Sequence, residues 1–174
     1  LVSAVERGAE EGRLIAWMRN DDEQSAIKET GIDASLPDPD DPSADPVAGV
    51  YFNNLSFSKL DWYLNADTQI GQGIKNGDGT CSYRITVTLT NIMTQEEAGK
   101  LPDYVAASAP DAARDDERLN VSLFAPTGGN ISDLTVEGTQ FGLGAATWHG
   151  IPFYSGTVDL HAGETTTITY TLTT

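Results

Sequence analysis

Gly156-Thr-Val-Asp-Leu-His-Ala-Gly163-Glu164, followed by Thr165-Thr-Thr-Ile-Thr-Tyr-Thr-Leu-Thr-Thr174, is the stretch whose reading decides the fold. In its second half Ile168, Tyr170 and Leu172 alternate with threonine. A period of two sends one face of a strand to a core and leaves a threonine ladder on the other. His161-Ala-Gly163-Glu164 supplies the turn between two such strands, so an antiparallel hairpin closes the chain.

Working back from this hairpin, the same alternation recurs between turn signals. It predicts strands over Ala48–Leu55, Lys59–Thr68, Ser82–Ile92, Leu119–Ala125, Ile131–Glu137, Ile151–Leu160 and Thr165–Thr173. The clearest is Ser82–Ile92, with Tyr83, Ile85, Val87 and Leu89 on one face. About seven short strands in series predict a mainly β fold, an immunoglobulin-like antiparallel β-sandwich. The Cys and Trp core signature of antibody domains is missing, so the expectation concerns the architecture alone.

The part before Val47 has another character. Val5, Ala9, Leu14, Ile15, Trp17 and Met18 recur at helical spacing, which predicts a helix over Val2–Arg19; a second short one follows from Asp21 or Asp22 to Thr30, with Gly31 as its stop. Residues 36–46 then contain four prolines and four aspartates, a composition that resists packing and predicts an extended linker. The expected organisation is therefore a helical appendage over 1–35, a linker over 36–46 and a sandwich over 47–174. Calcium capture by the linker aspartates is disfavoured because the prolines oppose a convergent loop. Between the third and fourth strands, Thr94 and Glu97 have capping-box spacing, and Ala106–Ala113 reads as mobile.

The 174 residues carry a net charge of -16, with only ten Lys and Arg. Such a surface excludes phosphate-backbone binding as the leading function and disfavours adsorption to anionic lipid. No apolar run reaches the roughly 18 to 20 residues that span a bilayer. The chain opens on Leu1 and goes straight into an amphipathic pattern, as expected of a piece of a longer protein. Cys81 is the single cysteine, so no intrachain disulfide is expected, and its place at the head of an apolar strand predicts a buried, inert thiol.

Residues that could carry chemistry are sparse. Asn76-Gly-Asp-Gly-Thr80 resembles part of a calcium loop but lacks its ligand spacing, and Asn-Gly and Asp-Gly are hairpin-turn dipeptides. His149 and His161 with Cys81 could form a nucleophile and base, yet nothing local orients them. No zinc, nucleotide-phosphate or dinucleotide motif occurs, so neither metal nor cofactor is expected. Lys59, Asp61 and Tyr63 share one face of the predicted second strand, where Lys59 could condense with Asn91 into an isopeptide bond; an ordinary charge arrangement explains the pattern more cheaply. Among the aromatics Trp62 reads as core, alternating with Leu60 and Leu64. Trp148, Tyr154 and Tyr63 are the candidates for a carbohydrate-facing site, with edge packing as the competing explanation.

Taken together, Gln24 before Gly31, Gly49-Val-Tyr-Phe-Asn53, Ser58-Lys-Leu-Asp-Trp-Tyr-Leu64, Tyr83 with Val87-Thr-Leu-Thr-Asn91, Leu101-Pro102 with Tyr104-Val105, Ala125-Pro126 and Gly163-Glu-Thr165 give the chain a family likeness. It resembles the C-terminal region of the domain-of-unknown-function family 4012, over nearly its whole length. The resemblance implies an exported, membrane-anchored envelope protein of actinobacteria and related Gram-positive organisms, with the anchor and a larger domain upstream. Ala106 and Ala107 stand where the family pattern continues with Gly, and the family supplies no catalytic residue. The expected function is a non-catalytic, extracytoplasmic structural or interaction module of a cell-envelope protein. The other reading is an accessory domain that presents envelope polysaccharide to an upstream enzymatic domain. Expected partners are the upstream domain of the same polypeptide and either cell-wall polysaccharide or another envelope protein, with no nucleic acid and no membrane contact by this stretch.

Overall fold

The two strands read from the C-terminal sequence form no hairpin with each other: Ile151–Leu160 lies in the smaller of two sheets and Thr165–Thr173 in the larger, so the turn at His161–Glu164 carries the chain from one sheet to the other. The computed structural model describes residues 2–10, 13–33, 35, 46–140 and 144–174. The chain forms two compact units, Leu1–Ala44 and Asp45–Thr174. Most of the expected linker, residues 36–45, lies outside the described residues.

The second unit is an antiparallel β-sandwich. Its strands are β1 (Gly49–Asn54), β2 (Leu64–Ile70), β3 (Ile74–Lys75), β4 (Cys81–Asn91), β5 (Glu117–Phe124), β6 (Asn130–Val136), β7 (Thr139–Gln140), β8 (Gly144–Trp148), β9 (Ile151–Leu160) and β10 (Thr165–Thr173). Sheet A has the order β1-β5-β9-β8; sheet B runs β2-β4-β10-β6-β7, with β3 also paired to β4. Thr165–Thr173 pairs residue for residue with Thr90–Ser82, so Ile168 and Tyr170 stand opposite Val87 and Ile85. That register puts the two clearest apolar stripes of the sequence on one face. They meet Leu119, Val121 and Leu123 of β5 and Val158 and Leu160 of β9 in the core between the sheets.

The turns follow their sequence chemistry. Glu164 N donates to His161 O at 2.9 Å, and Gly163 takes a φ of +82°, which only glycine adopts without strain. Asn76–Thr80 joins β3 to β4 as a hairpin turn, closed by Asn76 N to Thr80 O at 2.8 Å and by Asp78 Oδ1, which accepts from the Thr80 N–H and hydroxyl. The capping box is present: Thr94 Oγ1 accepts from Glu97 N, and Glu97 Oε2 accepts from Thr94 N, at the start of α3 (Gln95–Ala98), numbered after the two helices of the first unit.

Several expectations are corrected. Lys59–Thr68 is not one strand, because Leu60–Tyr63 forms a 3-10 helix and extended structure begins only at Leu64. Three residues per turn put Leu60 and Tyr63 on one side and Trp62 on the other, so Leu60 is fully buried while Trp62 is 86% exposed and not core. Lys59, Asp61 and Tyr63 consequently share no strand face. Cys81 is only half-buried, because it stands at the outer end of β4, opposite the short strand β3. The Ala106–Ala113 half of the long connection is tied down: Ala107 N donates to Arg114 O, and Ser108 N and Ala109 N both donate to Ser56 O. Ala106 itself is buried with Leu60, Met93, Ala98, Leu101 and Ala162 in a second apolar cluster.

In the first unit, α1 covers Val2–Glu10 rather than running to Arg19. Arg13 N and Leu14 N both donate to Gly8 O, a closure that ends the helix, and Ala16 N then donates to Ile32 O. Helix α2 (Asp21–Glu29) is capped by Asn20, whose side chain accepts from Asp22 N and Glu23 N, and Gly31 follows at a φ of +72°.

Candidate functional site

The three aromatic residues singled out from sequence do not converge. Trp148 is the last residue of β8 and pairs with Ile151. Tyr154 lies three positions along β9 from Ile151 and therefore points to the opposite face, where its hydroxyl reaches Asn130 Oδ1 at 3.4 Å. Tyr63 ends the 3-10 helix and packs on the second apolar cluster. Trp148 alone of the three stands open, at 54% exposure.

A different aromatic group crosses the outer face of sheet A. Phe124 of β5 stands opposite Phe153 of β9 on one side and Gly49 of β1 on the other. The two phenyl rings stack at 5.0 Å with 16° between their planes, and the Tyr51 ring meets Phe124 edge-on at 5.4 Å. Gly49 makes this arrangement possible: a Cβ there would come within 2.4 Å of Tyr51 Cε2. Ala146 of β8 pairs with Phe153, and Trp148 follows on the same face two residues later. The band thus runs over all four strands of sheet A, with Tyr51 59% exposed at its edge.

Beside the band the same face carries Ser122, Ser155 and Asn120, with Ser155 Oγ donating to Asn120 Oδ1 at 2.8 Å. The first charges along β5 and β9 are Arg118 and Asp159, paired at 2.9 Å. The band carries no charged residue on a chain of net charge -16, and charged residues are what interface cores lack. The stacking also limits what it can hold. Phe124 and Phe153 turn one face of each ring to the other, and the Trp148 ring lies edge to face with His149 at 5.1 Å. A pyranose needs an open ring face. An apolar cleft of about 460 Å3 opens elsewhere, between β1 and β2, the end strands of the two sheets, lined by Val50, Ile70, Tyr83, Ile85 and Leu172.

The sequence hid this band because Tyr51, Phe124 and Phe153 come from three separate strands, and only pairing register shows that they meet. His149-Gly150 was a legible signal: both residues have positive φ, the type I′ turn that joins β8 to β9 and presents Trp148.

The residues considered for chemistry are not assembled. His149 and His161 sit in the turns at opposite ends of β9, whose ten residues span about 33 Å. Cys81 and His161 are separated by the length of β4, as Gly163 N bonds to Asn91 O at its far end. Lys59 directs Nζ to the Tyr104 ring, 5.3 Å from its centroid, whereas Asn91 is fully buried and donates to Asp115 O and Leu160 O at 3.4 Å each. Among the described residues no group of three His, Cys, Asp or Glu side chains is arranged to hold a metal ion.

Two acids beside one another stand out electrostatically. Asp116 and Glu117 are both buried, and Asp116 Oδ1 and both Glu117 carboxylate oxygens have no hydrogen-bond partner among the described residues. Burial, and next the Asp159 charge, raise the Asp116 carboxyl, against the pull of Arg118 at 3.5 Å. Burial, and then the charge of Asp61, push Glu117 up to about 7.

Compared with protein-family models, with curated proteins and with solved structures, the chain matches none.

Proposed function

We propose that this chain is a non-catalytic interaction module of an extracytoplasmic bacterial envelope protein, and that it binds a protein partner through the outer face of sheet A. The observation that carries the reading is the Tyr51-Phe124-Phe153 band, three rings from three adjacent strands with no charged residue among them. Rings packed on one another across strands offer a contiguous apolar area, which suits a protein surface better than a single sugar ring. The envelope setting and the upstream partner domain come from the resemblance to family 4012. Presentation of polysaccharide is the competing reading, supported by exposed Trp148.

Replacing Tyr51 with a photo-crosslinking phenylalanine analogue in the native cells tests the proposal. Gln69, exposed on the outer face of sheet B, serves as the control position. The expected outcome is a discrete, protease-sensitive adduct from position 51 and none from position 69. Adducts that resist protease but yield to glycan-degrading enzymes would support the polysaccharide reading, and equal labelling from both positions would overturn both.

A further inference from the structure

β1 is the end strand of sheet A, paired with β5 on one side and with no described strand on the other. Leu55 N donates to Arg118 O at 2.8 Å, one step beyond the pair of Asn54 with Leu119. Bonded pairs in an antiparallel ladder come at every second residue, so Gly49, Tyr51 and Asn53 bond to β5, while Val50 and Phe52 turn their backbone N–H and C=O to the open edge. No described residue bonds to them there. Such an edge is ordinarily blunted by charge, proline or a bulge. β1 reads Gly-Val-Tyr-Phe-Asn-Asn in unbroken register with β5 and has none of the three.

The space beside that edge is apolar. In β2, Ala66, Thr68 and Ile70 stand opposite Leu89, Val87 and Ile85, core residues of β4, and so share their inward face. Yet all three are exposed, Ile70 at 70%, so no described strand of sheet A covers this part of sheet B. The cleft of about 460 Å3 lies between this face and β1, and no charged side chain lines it. Tyr170, 2% exposed, lines it too, and its hydroxyl, pushed up to about 12 by burial, has no hydrogen-bond partner among the described residues. Buried phenols ordinarily have one. The place therefore lacks backbone partners for Val50 and Phe52, apolar cover for Ile70 and an acceptor for Tyr170. A fatty chain would supply the cover and leave the backbone groups bare, whereas an extended peptide supplies all three.

We propose that sheet A receives one further strand at the β1 edge: an extended segment of the protein partner, which pairs with Val50 and Phe52 and lays alternate apolar side chains over Ile70 in the cleft. In strand addition of this kind main-chain bonds give affinity and pockets for alternate side chains give selectivity. The outward side chains of the segment lie beside Tyr51 and prolong the aromatic band, so the inference deepens the reading of sheet A as a protein-binding face and rests on it. Its inward positions take uncharged residues, because the lining offers a charge no partner. Basic residues at its ends suit a chain of net charge -16.

Hydrogen exchange of the intact chain, followed amide by amide by NMR, tests the added strand. The probes are short synthetic peptides at millimolar concentration, in which Val or Ile alternates with Thr between terminal lysines. Their controls are the same peptides N-methylated at alternate residues, in both phases, which keeps the side chains and removes one set of donors. Without peptide the Val50 and Phe52 amides are expected to exchange fast. With it their protection should rise about tenfold, the factor given by a ligand at ten times its dissociation constant, and one N-methylated phase should lose the effect. Val50→Pro removes an N–H that bonds to nothing within the chain and is expected to abolish the gain. Ile70→Lys, at an exposed position, is expected to do the same even where Val50→Pro does not fold. Protection of both amides without peptide, no gain with any peptide, or equal gain from both N-methylated phases would overturn the proposal. Such a failure beside an intact adduct from position 51 strikes the strand alone, whereas loss of that adduct strikes the reading of the face.

Discussion

Leu60 and Trp62 stand two residues apart, and alternation assigns both to the core, yet only Leu60 is buried. Ser58 Oγ accepts from Leu60 N at 3.3 Å and from Asn54 Nδ2 at 2.9 Å, which fixes the turn that feeds the 3-10 helix. Leu60 then closes the second apolar cluster and Trp62 faces water. Leu60→Ala is expected to cost about 3 kcal/mol by urea denaturation, the middle of the range for a buried Leu, whereas Trp62→Ala should cost less than about 0.5 kcal/mol. A larger loss from Trp62→Ala would restore the strand reading of Lys59–Thr68. The stretch Leu-Asp-Trp-Tyr-Leu satisfies a period of two as well as a period of three, so the sequence pattern alone had no means of choosing. Cys81 shows the same limit from another side: alternation says which face a residue takes but not how near it lies to the end of the sheet.

Among the elements, those with strong local chemistry were legible and those built from weak formers were not. β4 and β10 carry β-branched and aromatic residues on a strict alternation, and Thr94 with Glu97 announces α3. β8 reads Gly-Ala-Ala-Thr-Trp, without a stripe, and exists as a strand because the His149-Gly150 turn folds it back on β9. The aromatic band was illegible for a related reason, as it depends on the β1-β5-β9 register rather than on any one strand. The turn before β10 gives a direct check. Gly163 has open space around it, so Gly163→Ala meets no clash and pays only for the left-handed backbone. The expected cost is about 1 to 2 kcal/mol in the thermal or urea midpoint. No change would mean that this residue does not need positive φ and that the chain passes from β9 to β10 by a different turn.

At the scale of the whole molecule, the β-sandwich has its core from its own strands, and no described residue of the first unit is fully buried. Residues 46–174 produced alone are therefore expected to show a cooperative melt and β-type circular dichroism. The midpoint should fall within about 5 to 10 °C of the full chain, the shift that one to two kcal/mol produces in a domain of this size. The same truncated domain provides the most direct test of the account, which holds that sheet A carries the interaction. Added to cells or envelope extracts bearing the full chain with the crosslinker at position 51, it is expected to suppress the protein adduct in proportion to its concentration, and the variant with Tyr51→Ser and Phe153→Ser is expected not to. A folded domain that leaves the adduct untouched, or a double variant that competes as well as the parent, would contradict the assignment of the binding face.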